Sequence, residues 1–330
     1  MPEVVVFGAG NIGRSFVAPV LLDAGYRVTL VDISNELVEA LVSNGAYTIE
    51  IRSAAGGRER RVSGFAAVPL SDRERVVARV AEADLVATSV GQRGLPGVCE
   101  VIARALKLRR GRGGPPLDIV LAENIRNGKQ LCRSWISEHL PEGFPLDTAV
   151  GIVETSIGKM VPVVSDEQRA ADPLRLYAEP YNTLILDRDA FRGAVPSGRD
   201  IKLVTPIEAY VDRKLFVHNL GHAAVAYHGR FLHPDLPYIW QVLEDSRVSA
   251  LARGAMLEGA EVVRASFPGV FSAEELREHA DELLERFRNR SLGDTVQRVG
   301  RDLRRKLSRD DRVVGAMRGA ARHGLGFEHI

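Results

Sequence analysis

The chain has 330 residues, 45% hydrophobic and 26% charged, which excludes extensive disorder and is long enough for two domains sharing the apolar content. Its 44 basic and 43 acidic residues give a formal net charge of +1, so it lacks the positive field of a non-specific nucleic-acid binder, and a small-molecule partner is expected. Cys99 and Cys132 are the only cysteines and form no CxxC pair, which excludes a disulfide framework and a cysteine-based zinc site.

Val4 to Phe7 is a short apolar run, Ile12 to Ala24 has helical spacing, Arg27 to Val31 is again strand-like, and Ser34 caps a helix ending before Asn44-Gly45. Between Tyr47 and Val68, two strand-like stretches flank Ala54-Ala55-Gly56-Gly57 and predict a structural hairpin at the sheet edge. A strand at Asp84 to Thr88, a helix near Leu95 to Leu106, a strand at Leu117 to Leu121 and a helix from about Asn127 continue the alternation. The expected fold is α/β, a Rossmann-like doubly wound parallel sheet.

Leu174 to Ala178 and Leu184 to Asp187 read as a second strand pair before the segment Gly193 to Gly198. The boundary is placed there, giving an NAD-binding domain over 1–200 and a helical substrate domain over 201–330. Past residue 200 the strand signal vanishes, with Thr205 as a helix cap and Pro206 in the first turn. Ser272-Ala273-Glu274-Glu275 is a capping box, followed by Leu276, Ala280, Leu283, Leu284 and Phe287 on one helix face. No charged leader precedes the first strand, and no run of about 18 apolar residues exists. A cytoplasmic protein with no membrane partner is expected.

Gly8-Ala9-Gly10-Asn11-Ile12-Gly13 lies between the first strand and first helix. There, glycines permit a tight turn, close approach of a pyrophosphate and close helix packing, and the helix N-terminus favours an anion. Asp32 ends the second strand, placed to accept both adenosine ribose hydroxyls and to repel a 2′-phosphate, so NAD is expected over NADP. Thr88-Ser89-Val90-Gly91 follows another strand at the same sheet edge, which makes Ser89 and Val90 cofactor candidates.

The segment Asp212 to His222 sets Lys214, His218, Asn219 and His222 in an apolar stretch. At about 100° per residue these fall at roughly 0°, 40°, 140° and 80°, within reach of one face. Removing hydride from an alcohol carbon without zinc requires a base and donors around the oxygen. Lys214 can be the base, Asn219 a donor to the developing alkoxide, and His222 a group orienting the substrate hydroxyl. A lysine of ordinary pKa is less than roughly 0.1% neutral at pH 7. Burial or a neighbouring cation must therefore lower it, with Arg213 and the histidines as possible cations. No glutamate separates His218 and His222 as in HExxH, so no metal is expected.

Phe7 to Arg14 (FGAGNIGR), Ala122 to Gly128 (AENIRNG), Arg213 to His222 (RKLFVHNLGH) and the stretch DTVQRVGRDLRRKLSRDDR within Phe287 to Arg312 together resemble the polyol-specific long-chain dehydrogenases. The resemblance implies a Rossmann-like first domain, a helical second domain, Lys214 as general base, Asn124 and Asn219 as oxyanion donors, and His222 on substrate. Arg286 to Arg312 carries ten basic against four acidic residues, and the resemblance places Arg298 and Lys306 near substrate hydroxyls or phosphate. Members usually carry an Asp-Arg pair where this chain has Gly158-Lys159 before Met160-Val161-Pro162, which makes Lys159 a substrate-binding candidate and changes a hydroxyl contact. Members also continue past the position of Ile330 for roughly another helical subdomain.

The implied activity is reversible, metal-independent oxidation of a sugar alcohol, such as mannitol 1-phosphate, to a ketose, such as fructose 6-phosphate, by a monomer or homodimer. A keto-uronate reductase of the fructuronate or tagaturonate type presents the same kind of anion, and sequence does not separate the two. A nucleotide-binding regulatory protein is the third reading, opposed by the presence of Lys214, Asn219 and His222 together.

Overall fold

Strands buried at every position, such as Val4-Val5-Val6-Phe7 and Leu117 to Leu121, leave neither face in water and therefore need a helical layer on each side. The computed structural model describes residues 1–53, 56–125, 127–162 and 166–330, so Ala54 and Ala55 of the expected hairpin turn, and Arg126, lie outside the described residues. Its strands are β1 (Glu3–Phe7), β2 (Arg27–Asp32), β3 (Ala46–Ser53), β4 (Gly56–Ser63), β5 (Phe65–Pro69) and β6 (Leu85–Thr88), then β7 (Leu117–Leu121), β8 (Val150–Ser156), β9 (Arg175–Ala178), β10 (Leu184–Asp187) and β11 (Ile201–Val204). Eight of them form one sheet in the order β11-β10-β8-β7-β6-β1-β2-β5. The sheet is parallel from β5 to β8; β10 then runs antiparallel to β8, and β11 parallel to β10.

Period-two alternation sorts the residues into two cores. Val4 and Val6 pack with Phe16, Leu21 and Tyr47 on one face, while Val5 and Phe7 pack with Ile102, Leu106 and Ile136 on the other. Cys99 and Cys132 sit in the second core with their sulfurs 3.6 Å apart, and the hydrogen bond with Cys99, then burial, raises the Cys132 thiol pKa. The molecule divides into two compact units, Met1–Arg52 with Gly57–Ile207, and Ser53–Gly56 with Glu208–Ile330.

Three sequence expectations are corrected. The hairpin of β3 and β4 does not extend the edge of the main sheet. It forms a separate three-stranded sheet with β9, in the order β4-β3-β9, while β5 takes the edge position beside β2. Leu174 to Ala178 and Leu184 to Asp187 are therefore not a pair: β9 runs parallel to β3, and β10 joins β8. Apolar alternation marks a strand but carries no record of its partner. The strand signal also continues past residue 200, because β11 pairs with β10 through Ile201 to Val204, and the following helix starts at Ile207, one residue beyond Pro206.

Within the second unit the chain is helical. A continuous helix over 207–232 crosses the helix Ser246–Ser266, and the helix Ala273–Phe287 starts with the expected reciprocal capping bonds between Ser272 and Glu275. Leu276, Ala280, Leu283, Leu284 and Phe287 are all buried. Among the described residues no helix is long and apolar enough to cross a membrane. The crossing of 207–232 with Ser246–Ser266 is glycine-dependent: a Cβ at Gly259 would collide with the backbone carbonyl of Phe216, and one at Gly221 with the Met256 side chain. Gly259→Ala should cost about 1–3 kcal/mol, since a backbone carbonyl cannot swing aside as a side chain does; a urea unfolding midpoint unchanged from wild type would contradict this crossing.

Candidate active site

In the first unit, β1 ends at Phe7 and the chain turns through Gly8, whose φ is +92°, into a helix over 11–23. A Cβ at Gly8 would strike the Ser89 backbone and one at Gly13 the Gly8 carbonyl, whereas one at Gly10 would meet nothing within 4 Å. The first and third glycines thus serve close packing, and the second leaves open space where a pyrophosphate would approach. Asn11 is exposed and Ile12 half-buried in the first helical turn, where backbone N–H groups lack intrahelical partners.

Asp32, at the end of β2, accepts from Ala9 N at 2.7 Å and from Ser34 N at 3.0 Å. Its carboxylate thus ties the glycine turn to the second strand, a structural duty added to the ribose contact expected of it. Ser89 donates its hydroxyl to the Gly8 carbonyl at 3.0 Å. Val90 carries no amide N–H available to a ligand: the Glu123 carboxylate accepts from Val90 N at 2.8 Å and Gly91 N at 2.9 Å, and burial raises its pKa. Glu123, absent from the sequence expectation, immediately precedes Asn124, which is exposed beyond β7. Arg14 was also missed; its buried guanidinium donates to the Ala9 carbonyl at 2.5 Å and lies over Tyr47, which donates to the Arg14 carbonyl at 2.8 Å.

Lys159 is buried in the same unit, its ammonium donating to Tyr181 O at 2.7 Å and Asn182 Oδ1 at 3.1 Å. These contacts take up donors that the sequence reading assigned to substrate.

In the second unit, residues Lys214–Asn219 form a wide π-helical turn, closed by Leu220 N–H on the Leu215 carbonyl. Such a turn takes more residues per revolution than an α-helix, so the 140° separation of Lys214 and Asn219 on an ideal wheel no longer applies. Asn219, five residues on, is carried round toward the Lys214 side.

Lys214 is half-exposed by surface but ringed by protein, and its amine pKa is lowered from an ordinary value near 10.5 to about 8, first by burial and then by the charge of Arg312. The cation is therefore Arg312. Arg213 instead lies 4.9 Å from the Tyr210 ring centre and 5.0 Å from that of Phe271. Arg312 is itself buried, bonded to Asp311 at 2.8 Å and reaching the Asn219 carbonyl at 3.5 Å.

His222 stacks on Phe287, ring centres 4.5 Å apart and 9° from parallel, with Nε2 at 3.3 Å from Asp294. Burial, aided by Arg298, Lys306 and Arg312, outweighs that carboxylate and pushes the imidazole down to about 3. It is neutral at any physiological pH. His218 is buried and lowered likewise, its charge opposed by burial and then by Arg286, His222 and Lys214. Arg298 pairs with buried Asp294, and Lys306 donates to the Val299 carbonyl while burial and Arg312 lower it to about 8. Asp294 and Arg312 were not singled out in the sequence, because among so many Arg and Asp residues only packing shows which are buried. Among the described residues, no three His, Cys, Asp or Glu side chains group as metal ligands.

Residues 2–197 match the family model of the mannitol dehydrogenase Rossmann domain and 206–330 that of the mannitol dehydrogenase C-terminal domain. The chain belongs to the mannitol dehydrogenase family. It is an oxidoreductase of that family, 31% identical to mannitol-1-phosphate 5-dehydrogenase of Lacticaseibacillus paracasei across 99% of this chain and 84% of that protein. Among solved structures it is similar to a substrate-free D-sorbitol dehydrogenase, with a TM-score of 0.83 and 17% identity over 98% of this chain and 77% of that one. Pseudomonas fluorescens mannitol 2-dehydrogenase, in complex with NAD and D-mannitol, gives a TM-score of 0.77 and 17% identity over 99% and 76%.

Site-resolved titration checks the electrostatics directly. With lysines carrying ¹³C-methyl groups, the Lys214 resonance should titrate with a midpoint near 8. Arg312→Gln removes a cation that disfavours the ammonium and should move the midpoint upward; a midpoint insensitive to Arg312 would show burial acting alone.

Proposed function

We propose that this family member is a metal-independent, NAD-dependent dehydrogenase interconverting a polyol phosphate, such as mannitol 1-phosphate, and its ketose phosphate, such as fructose 6-phosphate, with Lys214 as general base. The observation that carries the reading is an amine lowered to about 8 in the segment that also holds Asn219 and His222. An amine of that pKa exchanges protons in both directions near neutral pH.

The glycine turn and Asp32 fit NAD: the Gly10 side is open, and the carboxylate at the end of β2 disfavours a 2′-phosphate. Gly8, Gly10, Asn11, Ile12, Gly13, Asp32 and Ser89 would hold it, with Val90 shaping the wall through its side chain. Bound NAD supplies the hydride acceptor. In oxidation, neutral Lys214 takes the proton of the substrate hydroxyl as the carbinol carbon gives up hydride, leaving a ketone and an ammonium. Asn219 and Asn124 donate to the oxygen as charge develops on it. Neutral His222, fixed by stacking on Phe287, orients the adjoining hydroxyl. Arg298 and Lys306 favour an anionic substrate end. Lys214 carries the proton transfer in this reading. The enzyme acts in the cytoplasm as a monomer or homodimer.

The protonation states fix the pH dependence. Oxidation requires the neutral amine and should rise with pH through about 8, whereas reduction requires the ammonium and should fall across the same range. Lys214→Ala should lower both rates by about 10²–10⁴-fold, and Arg312→Gln should shift both profiles to higher pH. NADH consumption with fructose 6-phosphate, free fructose and fructuronate identifies the substrate: turnover is expected with the first, and turnover with fructuronate alone would replace the phosphate assignment. A flat pH profile from 6 to 10 under chemistry-limited conditions would remove Lys214 as the base.

Asp32→Ala should raise the KM for NAD about tenfold or more, because it removes the ribose contact and frees the Ala9 amide. An unchanged KM for NAD would take Asp32 out of the cofactor site.

A further inference from the structure

The small sheet encloses space of its own. Alternate residues of a strand share a face, and Ile49 and Ile51 of β3 with Arg58 and Arg60 of β4 line a cavity of about 460 Å³ in the first unit. Ser15, Pro19 and Asp23, spaced four apart along the helix over 11–23, supply a second wall. Lys159, Asn182, Arg199 and Asp200 complete it. The volume is that of a small-molecule site, and apolar walls with a few convergent polar groups are the usual composition of one.

The charge balance selects the ligand. Four cations line the cavity against two carboxylates. Asp23 pairs with Arg60 at 2.7 Å, and Asp200 pairs with Arg199 at 4.0 Å and accepts from the Asn182 amide at 2.6 Å. The lining thus keeps an excess of positive charge, and two of its cations are arginines on one strand face, whose planar forks suit phosphate oxygens. The hydroxyl of Ser15, 3% exposed, has no hydrogen-bond partner among the described residues. A buried donor without a partner is costly, and a ligand oxygen would relieve it. None of these residues belongs to the glycine turn, Asp32 or the Lys214 segment.

We infer that this cavity binds a small phosphate monoester at a site separate from the dinucleotide cradle, its phosphate on Arg58, Arg60 and Arg199 and a hydroxyl or ester oxygen toward Ser15. The inference stands whether or not the proposed reaction does. Calorimetric titration of the NADH-saturated enzyme with inorganic phosphate tests it, since NADH then occupies the cradle. One equivalent should bind. Arg58→Glu and Arg199→Glu, both on exposed side chains, should each weaken binding about tenfold, about 1.4 kcal/mol, with NADH affinity unchanged. Arg298→Ala should leave phosphate binding as in wild type. No binding to wild type, equal binding to Arg58→Glu and Arg199→Glu, or loss of binding in Arg298→Ala would each overturn the assignment.

Discussion

An amine surrounded by protein, with a guanidinium as its neighbour, cannot hold a proton as it would in water. That constraint organises the second unit. The ammonium of Lys214 is disfavoured by lost hydration and by Arg312, and the same guanidinium acts on His222 and Lys306. Several cationic groups share one desolvated region, and the cheapest relief is for the weaker bases to shed their protons. His222, lowered to about 3, does so at physiological pH, and His218 is pushed the same way. Lys214 and Lys306 remain poised near 8. Asp294 and Asp311 pair with the two arginines, Arg298 and Arg312.

Backbone geometry delivers these groups. The wide turn at Lys214–Asn219 brings two residues five apart toward one side, and the Gly259 contact with the Phe216 carbonyl lies inside that turn. A helix-wheel reading assumes 3.6 residues per revolution, so it assigned Asn219 too great an angle. A second wide turn occurs at Gly13–Val17, directly after the glycine motif, closed by Ala18 N–H on the Gly13 carbonyl. Irregular helical turns thus mark both segments from which the sequence drew its chemistry, in keeping with the concentration of π turns at functional sites.

What was legible in the sequence was local. Strand and helix alternation, the glycine turn, Asp32 at the end of β2 and the capping box at Ser272 each depend on a few neighbouring residues, and the structure has them where the sequence put them. The pairing of β3 with β9, the placement of β10 and β11 beyond β8, and the identity of the cation beside Lys214 depend on contacts made from far along the chain. Arg312 lies nearly a hundred residues from Lys214, in a segment whose other arginines mostly face water. Nothing in one sequence distinguishes a buried guanidinium from exposed ones such as Arg301, Arg304, Arg305 and Arg309, because the distinction is created by packing.

The same long-range pairing narrows where an anion can sit in the first unit. Several backbone amides near the glycine turn are already used: Gly8 N by the Val31 carbonyl, Ser89 N by the Phe7 carbonyl, Ala9 N by Asp32, and Val90 and Gly91 N by Glu123. The first turn of the helix, at Asn11, Ile12 and Gly13, is where helix geometry leaves donors outward and the dipole is positive. Carboxylates perform this selection. Asp32 and Glu123 tie down the amides on either side of Gly8, and so hold the loops rigid while leaving the helix N-terminus as the place where an added negative charge is stabilised.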